Sequence, residues 1–440
     1  MFFRKIALAA VASFLLLSGC GGGDNEGLSN NISAATSAYI VVAWNDLGMH
    51  CLNPSYDTAV ILPPYNTVMA QVIKRGNPPT VATSGLTVSY RLINNATSQK
   101  GTYTQFWTYA NALFQSLFPS MPNPLPANTG VTGHGLSGNM GIVGSHFEVT
   151  GIPVVPIDDN GVRNPYQVAE ITVKDGSGAI VAQTRATVPT SDEINCGKCH
   201  AGATVTDVFN NVLAKHDTNI GTSLSNQKPV LCASCHGSPA LNAPLKPKTG
   251  GGTISYLSYA IHNSHAARGA GCYDCHPGAT TKCNRSTNHT NNNAADGNCS
   301  ACHGSMANVA ATITAGRVPW TSEPKCVLCH TGVAQVDTGT TLYRNAIGHG
   351  GVYCAGCHGS PHAMVPSNQA SDNYQALQYQ AKAMVLGDCR NCHGSSRGGG
   401  NNFAGEHGNS KQSACNVCHT GFQNSGNTTN WPHQFQWKSR

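Results

Sequence analysis

The segment Cys196-Gly-Lys-Cys199-His200 decides the fold of the second half of this chain, because its pattern occurs eight times after residue 195. Each copy has two cysteines three positions apart and a histidine directly after the second. Thiols at this spacing lie on one turn of the backbone, where they can add to the two vinyl groups of a single porphyrin. The adjacent imidazole then reaches the iron. The pattern therefore predicts eight covalently attached haem c groups.

The cysteines of these motifs are the predicted thioether residues, and the histidines are the predicted proximal ligands of the irons. The cysteines are Cys196, Cys199, Cys232, Cys235, Cys272, Cys275, Cys299, Cys302, Cys326, Cys329, Cys354, Cys357, Cys389, Cys392, Cys415 and Cys418. The proximal histidines are His200, His236, His276, His303, His330, His358, His393 and His419. Zinc sites would not place a histidine after every pair, and a redox dithiol would need a βαβ context.

Eight further histidines follow residue 190, one for each predicted iron. They are His216, His262, His265, His289, His349, His362, His407 and His433. Neutral imidazole is a good iron ligand, so these residues are the candidates for the distal position of each haem. The count predicts bis-histidine ligation throughout, with Met306, Met364 and Met384 as weaker alternatives. His262 and His265 lie three positions apart, and we expect them to serve different haems.

Three of the nineteen cysteines lie outside the motifs. Cys20 ends the stretch Leu17-Ser-Gly-Cys20, which follows an apolar run too short to span a membrane and resembles the lipobox of bacterial lipoproteins. Residues 1–20 are expected to be a signal peptide with Cys20 lipidated, and residues 21–37 a flexible linker. Gly21 after the cysteine favours the outer membrane. Cys51 and Cys283 remain, and they form either a disulfide or two separate buried thiols.

The composition indicates an interior that side chains alone do not fill. Only 10% of residues are charged, and apolar periodicity nearly vanishes after residue 190. Residues 191–440 are therefore expected to form loops and short helices around haems, with helices predicted over 206–214 and 374–385. The formal net charge is +6, but haem propionates are expected to make the holoprotein acidic. No continuous basic stripe indicates a nucleic-acid partner.

Residues 38–190 predict a β-rich domain. The stretch 38–44 is β-branched and aromatic, and residues 86–93 alternate with period two. Residues 170–174 and 179–182 flank a Gly-rich turn, which predicts a hairpin. Several short strands separated by Pro and Gly favour a β-sandwich-like domain. The predicted fold thus has two parts, this domain and then a loop-rich multihaem domain with short helices.

The segment Trp44-Asn-Asp-Leu-Gly-Met-His50-Cys51 concentrates residue types that are common in functional sites. It admits a copper or iron site, a substrate site that His134 and His146 would join, or a tight turn after the first strand. The structural turn is favoured, because one His-Cys pair is a weak metal signal. A further alternative makes His50 the cap of a haem.

The eight motifs, the Leu17-Ser-Gly-Cys20 stretch and the Gly- and Asn-rich composition resemble the cell-envelope multihaem cytochromes of metal-reducing bacteria. Asn45-Asp-Leu-Gly-Met-His50-Cys51, Pro189-Thr-Ser-Asp-Glu193 and Cys357-His-Gly-Ser-Pro-His362 are similar to one subgroup with a β-rich front and a haem-rich back. The resemblance implies dense haem packing, proximal ligation by the motif histidines, and delivery of electrons to partner cytochromes or extracellular metal oxides.

The sequence favours an electron conduit anchored to the outer membrane over two alternatives. An octahaem enzyme reducing a nitrogen or sulfur oxyanion would need an open iron, and the histidine count leaves no obvious one. Some such enzymes carry a motif that ends in Lys, and none occurs in this sequence. A subunit of a conducting filament suits the polar composition, although a lipid anchor on every copy argues against long free filaments. Expected partners are redox proteins or metal oxides, and the membrane through the anchor.

Overall fold

The computed structural model describes residues 37–76, 78–278, 280–289, 298–330 and 341–393. Its strands are β1 (Tyr39–Asn45), β2 (His50–Cys51), β3 (Ala59–Val60), β4 (Asn66–Lys74), β5 (Thr80–Val81), β6 (Leu86–Ile93), β7 (Ser137–Asn139), β8 (Gly141–Val143), β9 (His146–Ile152), β10 (Tyr166–Asp175), β11 (Ile180–Ser191) and β12 (Val230–Leu231). One sheet has the order β1-β4-β9-β8, with β5 paired to β4, and the second has the order β2-β11-β10-β6-β7. β12 pairs with β3 in parallel, so the chain returns to the β region after its first motif.

The two large sheets share one apolar core. Alternate residues of each strand supply it, such as Val41 and Ala43 of β1 and Ala169, Ile171 and Val173 of β10, all of which are buried. Burying an aliphatic side chain fully stabilises a fold by about 1.5–3 kcal/mol. Residues 38–191, called here the β region, therefore have a core made of their own side chains.

A hairpin at the Gly-rich turn joins β10 to β11. Asp175 Oδ1 accepts hydrogen bonds from the N–H groups of Ser177 and Ala179 at 2.9 and 3.1 Å. Gly178 has a φ of 87°, a conformation that favours glycine. β11 extends well beyond the predicted 179–182, because it pairs with β10 as far as Pro189 and its last two residues pair in parallel with β2. The β region thus ends at Ser191, directly before the first motif.

The helices of the described residues are short. They are α1 (Gln105–Phe114), α2 (Val205–Ile220), α3 (Leu257–Ala266), α4 (Cys299–His303), α5 (Met306–Thr314), α6 (Cys354–His358), α7 (Tyr374–Gln380) and α8 (Arg390–His393). α2 is longer than predicted, since a capping box of Thr204 and Asp207 starts it and Gly221 at φ 78° ends it. α7 ends before the predicted residue 385, because Ala381 adopts a left-handed conformation. None of these helices combines the length and hydropathy needed to cross a bilayer.

α1 was not predicted from the sequence. Its Phe106, Ala110 and Phe114 are buried at helical spacing and join an apolar cluster with Tyr56 and Leu241. This cluster connects the β region to the residues around the second motif.

The opposite face of β1 is also buried. Ile40, Val42 and Trp44 alternate with the core residues of that strand and join Tyr343 and Tyr353 in a separate apolar cluster. Partly buried motif cysteines border the cluster, namely Cys326, Cys354 and Cys392. The first sheet therefore lies between its own core and residues 192–393, which are called here the motif region.

Candidate haem-binding sites

Each described motif lies on a short helical turn. Motifs 1, 2, 3 and 5 form 3-10 turns over Cys196–Lys198, Cys232–Ser234, Cys272–Asp274 and Cys326–Leu328, and motifs 4, 6 and 7 lie on or at the start of α4, α6 and α8. The histidine N–H bonds back to the first cysteine, as in His200 N to Cys196 O at 2.9 Å and His276 N to Cys272 O at 2.8 Å. The turn keeps both thiols and the imidazole close together, as covalent haem attachment requires.

Six motif histidines lie opposite a second histidine. With sites numbered in motif order, the pairs are His200 with His265 at site 1, His236 with His216 at site 2, His276 with His262 at site 3, His303 with His362 at site 4, His330 with His289 at site 5, and His393 with His349 at site 7. Their ring centroids are between 6.0 and 6.4 Å apart. Each partner is one of the distal candidates of the sequence.

This spacing fits two imidazoles on opposite sides of one metal ion. A metal–imidazole nitrogen bond is about 2.0 Å long and the nitrogen lies about 1.1 Å from its ring centre, so two trans imidazoles have centres about 6.2 Å apart. In the described part of the chain, no three His, Cys, Asp or Glu side chains are grouped to hold a metal ion without a further ligand. The residues therefore fit an iron that takes two protein ligands and four porphyrin nitrogens.

Hydrogen bonds at Nδ1 leave the second ring nitrogen free for a metal. His236 Nδ1 donates to Ser255 O at 3.0 Å, and His362 Nδ1 donates to Leu47 O at 2.7 Å. A carbonyl oxygen only accepts hydrogen bonds, so Nδ1 carries the proton and Nε2 keeps its lone pair. Such contacts also fix the ring orientation of a metal-binding histidine.

α3 carries the distal candidates of two sites. His262 and His265 each donate from Nδ1 to the carbonyl four residues earlier, at 2.6 and 2.8 Å. His262 lies opposite His276, whereas His265 lies opposite His200. One helix therefore fixes sites 1 and 3 relative to each other.

Burial favours the neutral form of the paired imidazoles. It is the largest cause that lowers the pKa of both His276 and His303 to about 4, and neighbouring histidines add to both shifts. Burial is likewise the first cause of the lowered pKa at His216, His262, His289, His362 and His393. Only the neutral ring offers a lone pair to iron.

The segment 44–51 is a tight turn that reaches site 4. Asn45 Oδ1 accepts hydrogen bonds from the N–H groups of Leu47 and Gly48 at 3.2 and 2.6 Å. The Leu47 carbonyl accepts the Nδ1 proton of His362. Gly48 has a φ of 78°, and a Cβ there would lie 2.9 Å from His362 N. This turn therefore positions a distal candidate from the β region.

The N-terminal histidines have partners within the β region. His50 Nε2 lies 2.7 Å from Asp46 Oδ1, and His146 Nε2 lies 3.1 Å from Glu148 Oε2. His134 is exposed and bonds through Nδ1 to a strand carbonyl. His50 thus bonds to Asp46 within the turn, and its role as the cap of a haem stays a prediction.

Cys51 and Cys283 are thiols in this structure. Burial raises the pKa of Cys51 to about 12, and the charge of nearby Cys283 adds to the shift. Burial also raises the pKa of Cys283 to about 11. A disulfide between the two stays a prediction.

Several predicted residues lie outside the described ranges. They are Cys20, the eighth motif with Cys415, Cys418 and His419, and the distal candidates His407 and His433. His358 of motif 6 is described and lies at the end of α6.

Two contacts near the motifs were not foreseen from the sequence. Asn211 Oδ1 of α2 lies 3.2 Å from His200 Nδ1, and Lys198 of motif 1 forms a 2.8 Å ion pair with Asp274 of motif 3. The sequence shows a lysine inside motif 1 and an aspartate inside motif 3, which is a signal for an ion pair. The sequence does not show that these two motifs are neighbours.

A family model described as Cytochrome c554 and c-prime matches residues 307–359, which contain motifs 5 and 6. Comparison with curated proteins and with solved structures found no match. The family match and the repeated motifs identify a c-type cytochrome. The protein binds haem c and transfers electrons.

Proposed function

We propose that this protein is an electron conduit with eight haem c groups, each attached to two motif cysteines and held by two axial histidines. The observation that carries the proposal is the set of six histidine pairs whose ring centroids are 6.0 to 6.4 Å apart. When bound, haem c supplies an iron that changes between the ferrous and ferric states. Two axial imidazoles leave that iron no position for a substrate.

Contacts between motifs support the order 2, 1, 3 for the first three sites. α2 joins sites 2 and 1, because it carries both His216 and the Asn211 that bonds His200. Sites 1 and 3 are joined by α3 and by the ion pair of Lys198 with Asp274. Site 2 therefore precedes site 1 in space, although it follows it in sequence.

Sites 3, 4 and 5 continue the order. Burial is the largest cause of the lowered pKa of His276, and the charges of nearby histidines, including His303, add to it. Sites 3 and 4 are therefore neighbours. Burial raises the pKa of the Cys302 thiol, and the charge of nearby Cys329 adds to the shift. Sites 4 and 5 are therefore neighbours as well. In the holoprotein these sulfurs would be uncharged thioethers, so the interaction of Cys302 with Cys329 means only that the two side chains lie near each other.

Sites 5, 6 and 7 complete the described order. Burial is the largest cause of the raised pKa of Tyr343, and the charges of Cys354 in motif 6 and Cys326 in motif 5 add to it. The Tyr343 ring therefore lies near both motifs. Burial is the largest cause of the raised pKa of Cys357 in motif 6, and the charge of Cys392 in motif 7 adds to it. Motifs 6 and 7 are therefore neighbours. An electron would thus follow the sites in the order 2-1-3-4-5-6-7.

The location and partners belong to the proposal as well. Lipidation of Cys20 would anchor the chain to the outer membrane, where it would exchange electrons with redox proteins or extracellular metal oxides. The support is the lipobox-like stretch and the resemblance of the motifs. Mass spectrometry of the mature N-terminus tests the anchor, and an unmodified or uncleaved N-terminus would contradict it. Electron microscopy of the purified protein separates single particles from the filament alternative.

Low-temperature EPR of the fully oxidised holoprotein, with a haem count on the same sample, tests the conduit. We expect eight haems per chain and only low-spin signals. A high-spin signal of about one haem that changes on adding nitrite or cyanide would instead favour the oxyanion reductase.

Variants test individual ligands. His265→Ala should convert one haem to high spin, because site 1 would lose its distal imidazole. His134→Ala is the matched control, since this exposed histidine bonds within the β region. Identical spectra for the two variants would remove His265 from the ligands.

A further inference from the structure

Arg317 is held at the end of α5. Gly316 has a φ of 103°, and the N–H of Arg317 donates to Thr312 O at 2.9 Å, which closes the helix C-terminus. The side chain folds back onto the same helix. Its Nε donates to Thr312 Oγ1 at 2.9 Å, and its Nη2 donates to Val309 O at 3.1 Å. The guanidinium position is therefore fixed rather than free in solvent.

The helix that holds this guanidinium packs against helices of sites 3 and 4. α5 packs against α3, which carries His262, and against α4, which carries His303. Arg317 is thus held on a helix that packs against both the helix with a distal candidate of site 3 and the helix with the proximal histidine of site 4.

Among the described residues, no carboxylate lies within ion-pair distance of Arg317. Arg285, by contrast, is almost fully buried and pairs with Asp372 at 2.8 Å. Burial alone lowers the pKa of Arg317, with no anion in the described part of the chain to oppose it. Its described hydrogen bonds use two of the five N–H donors of a guanidinium. Partly buried guanidinium groups normally pair with planar anions.

We propose that Arg317 forms a carboxylate-binding site shared by sites 3 and 4, where it pairs with haem propionates and raises the reduction potential of both irons. The inference rests on the proposed function, since it requires a bis-histidine haem at each site. A nearby cation favours the reduced iron, whose net charge is one unit lower. Removing it should therefore make both irons harder to reduce.

The axial rings provide a way to observe these two sites. The paired imidazole planes meet at 22° and 23° at sites 3 and 4 and at 29° at site 7. They meet at 63°, 87° and 78° at sites 1, 2 and 5. Aligned rings split the iron π orbitals more than crossed rings do. Near-parallel pairs therefore give rhombic low-spin EPR signals, and near-perpendicular pairs give a single signal at high g.

EPR-monitored redox titration of the holoprotein tests the proposal with Arg317→Gln. Two of the rhombic components should move to lower potential, while the high-g components keep theirs. Arg317→Lys should restore most of the potential, since it keeps the charge. Arg268→Gln is the matched control, because it removes one charge at an exposed position just after α3. It should leave the reduction potential of every component unchanged.

Three results would overturn the inference. The first is a shift in Arg317→Gln no larger than in Arg268→Gln, or one spread evenly over all components. The second is a downward shift in Arg317→Gln that Arg317→Lys does not reverse although every haem stays low-spin, which would show that the charge is not its cause. The third is a high-spin signal in Arg317→Gln that Arg317→Lys does not prevent, which would make the role structural. Eight low-spin haems in these variants would leave the conduit itself intact in the first two cases.

Discussion

The β region and the motif region are held together in different ways. In the β region, two sheets bury a core of aliphatic side chains such as Val68, Ile171 and Val173. In the motif region, the described apolar clusters are small and border the cysteines of the motifs, as at Cys196 beside Phe209. The difference teaches that side-chain burial accounts for the β region, whereas in the described motif region it leaves room for the proposed covalent haems to supply the interior.

The two halves meet through specific contacts. Tyr379 of the motif region donates from its hydroxyl to Val41 O at 2.7 Å, and the Leu47 carbonyl accepts from His362. The β region therefore does more than precede the haem sites. It packs against the cysteines of sites 5, 6 and 7 and orients His362, the distal candidate of site 4.

The largest effect is expected when haem attachment is prevented. Protein produced without haem should lose amide protection across the described residues of the motif region, because no large side-chain core lies within them. β10 and β11 should keep their protection. Hydrogen exchange with mass spectrometry, compared with the holoprotein, checks this. If both regions lose amide protection equally, or both keep it, the two regions are not held together in different ways.

A cavity in the sandwich should destabilise the β region strongly. Ile171 is fully buried, so Ile171→Ala should cost about 2–5 kcal/mol of unfolding free energy. Ile142 on β8 is 58% exposed, so Ile142→Ala should change it by less than about 0.5 kcal/mol. Denaturant unfolding followed by amide exchange measures both. Similar losses in the two variants would mean that the sandwich core does not support the region.

A smaller effect is expected at the junction. Gly48 and Gly85 both have positive φ, and an alanine in that conformation costs about 1–2 kcal/mol. Only at Gly48 would the new Cβ also meet His362, since nothing lies within 4 Å of a Cβ at Gly85. Gly48→Ala should therefore lose more stability than Gly85→Ala and alter the rhombic EPR signal of site 4. If both variants leave that signal unchanged, the turn does not position His362.

The smallest effect is expected at the ion pair of motifs 1 and 3. Lys198→Ala should leave thermal stability and both low-spin signals unchanged within experimental error. The lysine side chain is 54% exposed, so solvent and salt screen the pair, and α3 links the two sites independently. A measurable loss at low salt would show that the motif region depends on such pairs more than the comparison allows.

Much of the β region could be predicted from the sequence, because alternation in strands follows directly from residue order. The hairpin of β10 and β11 was located, but both strands are longer than predicted, and only the last two residues of β11 depend on pairing with the distant β2. α1 was missed because Phe106, Ala110 and Phe114 occur among strand-like segments, and their burial needs partners far along the chain. The turn at Asn45 was favoured, whereas its contact with His362 was not foreseen.

The sequence by itself determined the covalent chemistry of this protein. Cysteine spacing and an adjacent histidine are local features, so Cys196, Cys199 and His200 can be assigned to one haem without knowledge of the fold. Only the tertiary structure decided which histidines face each other, that α2 connects sites 1 and 2, and that Arg317 folds back onto α5. These relations join residues from separate segments, and spatial proximity between such segments follows from how the helices and sheets pack, not from their order along the chain.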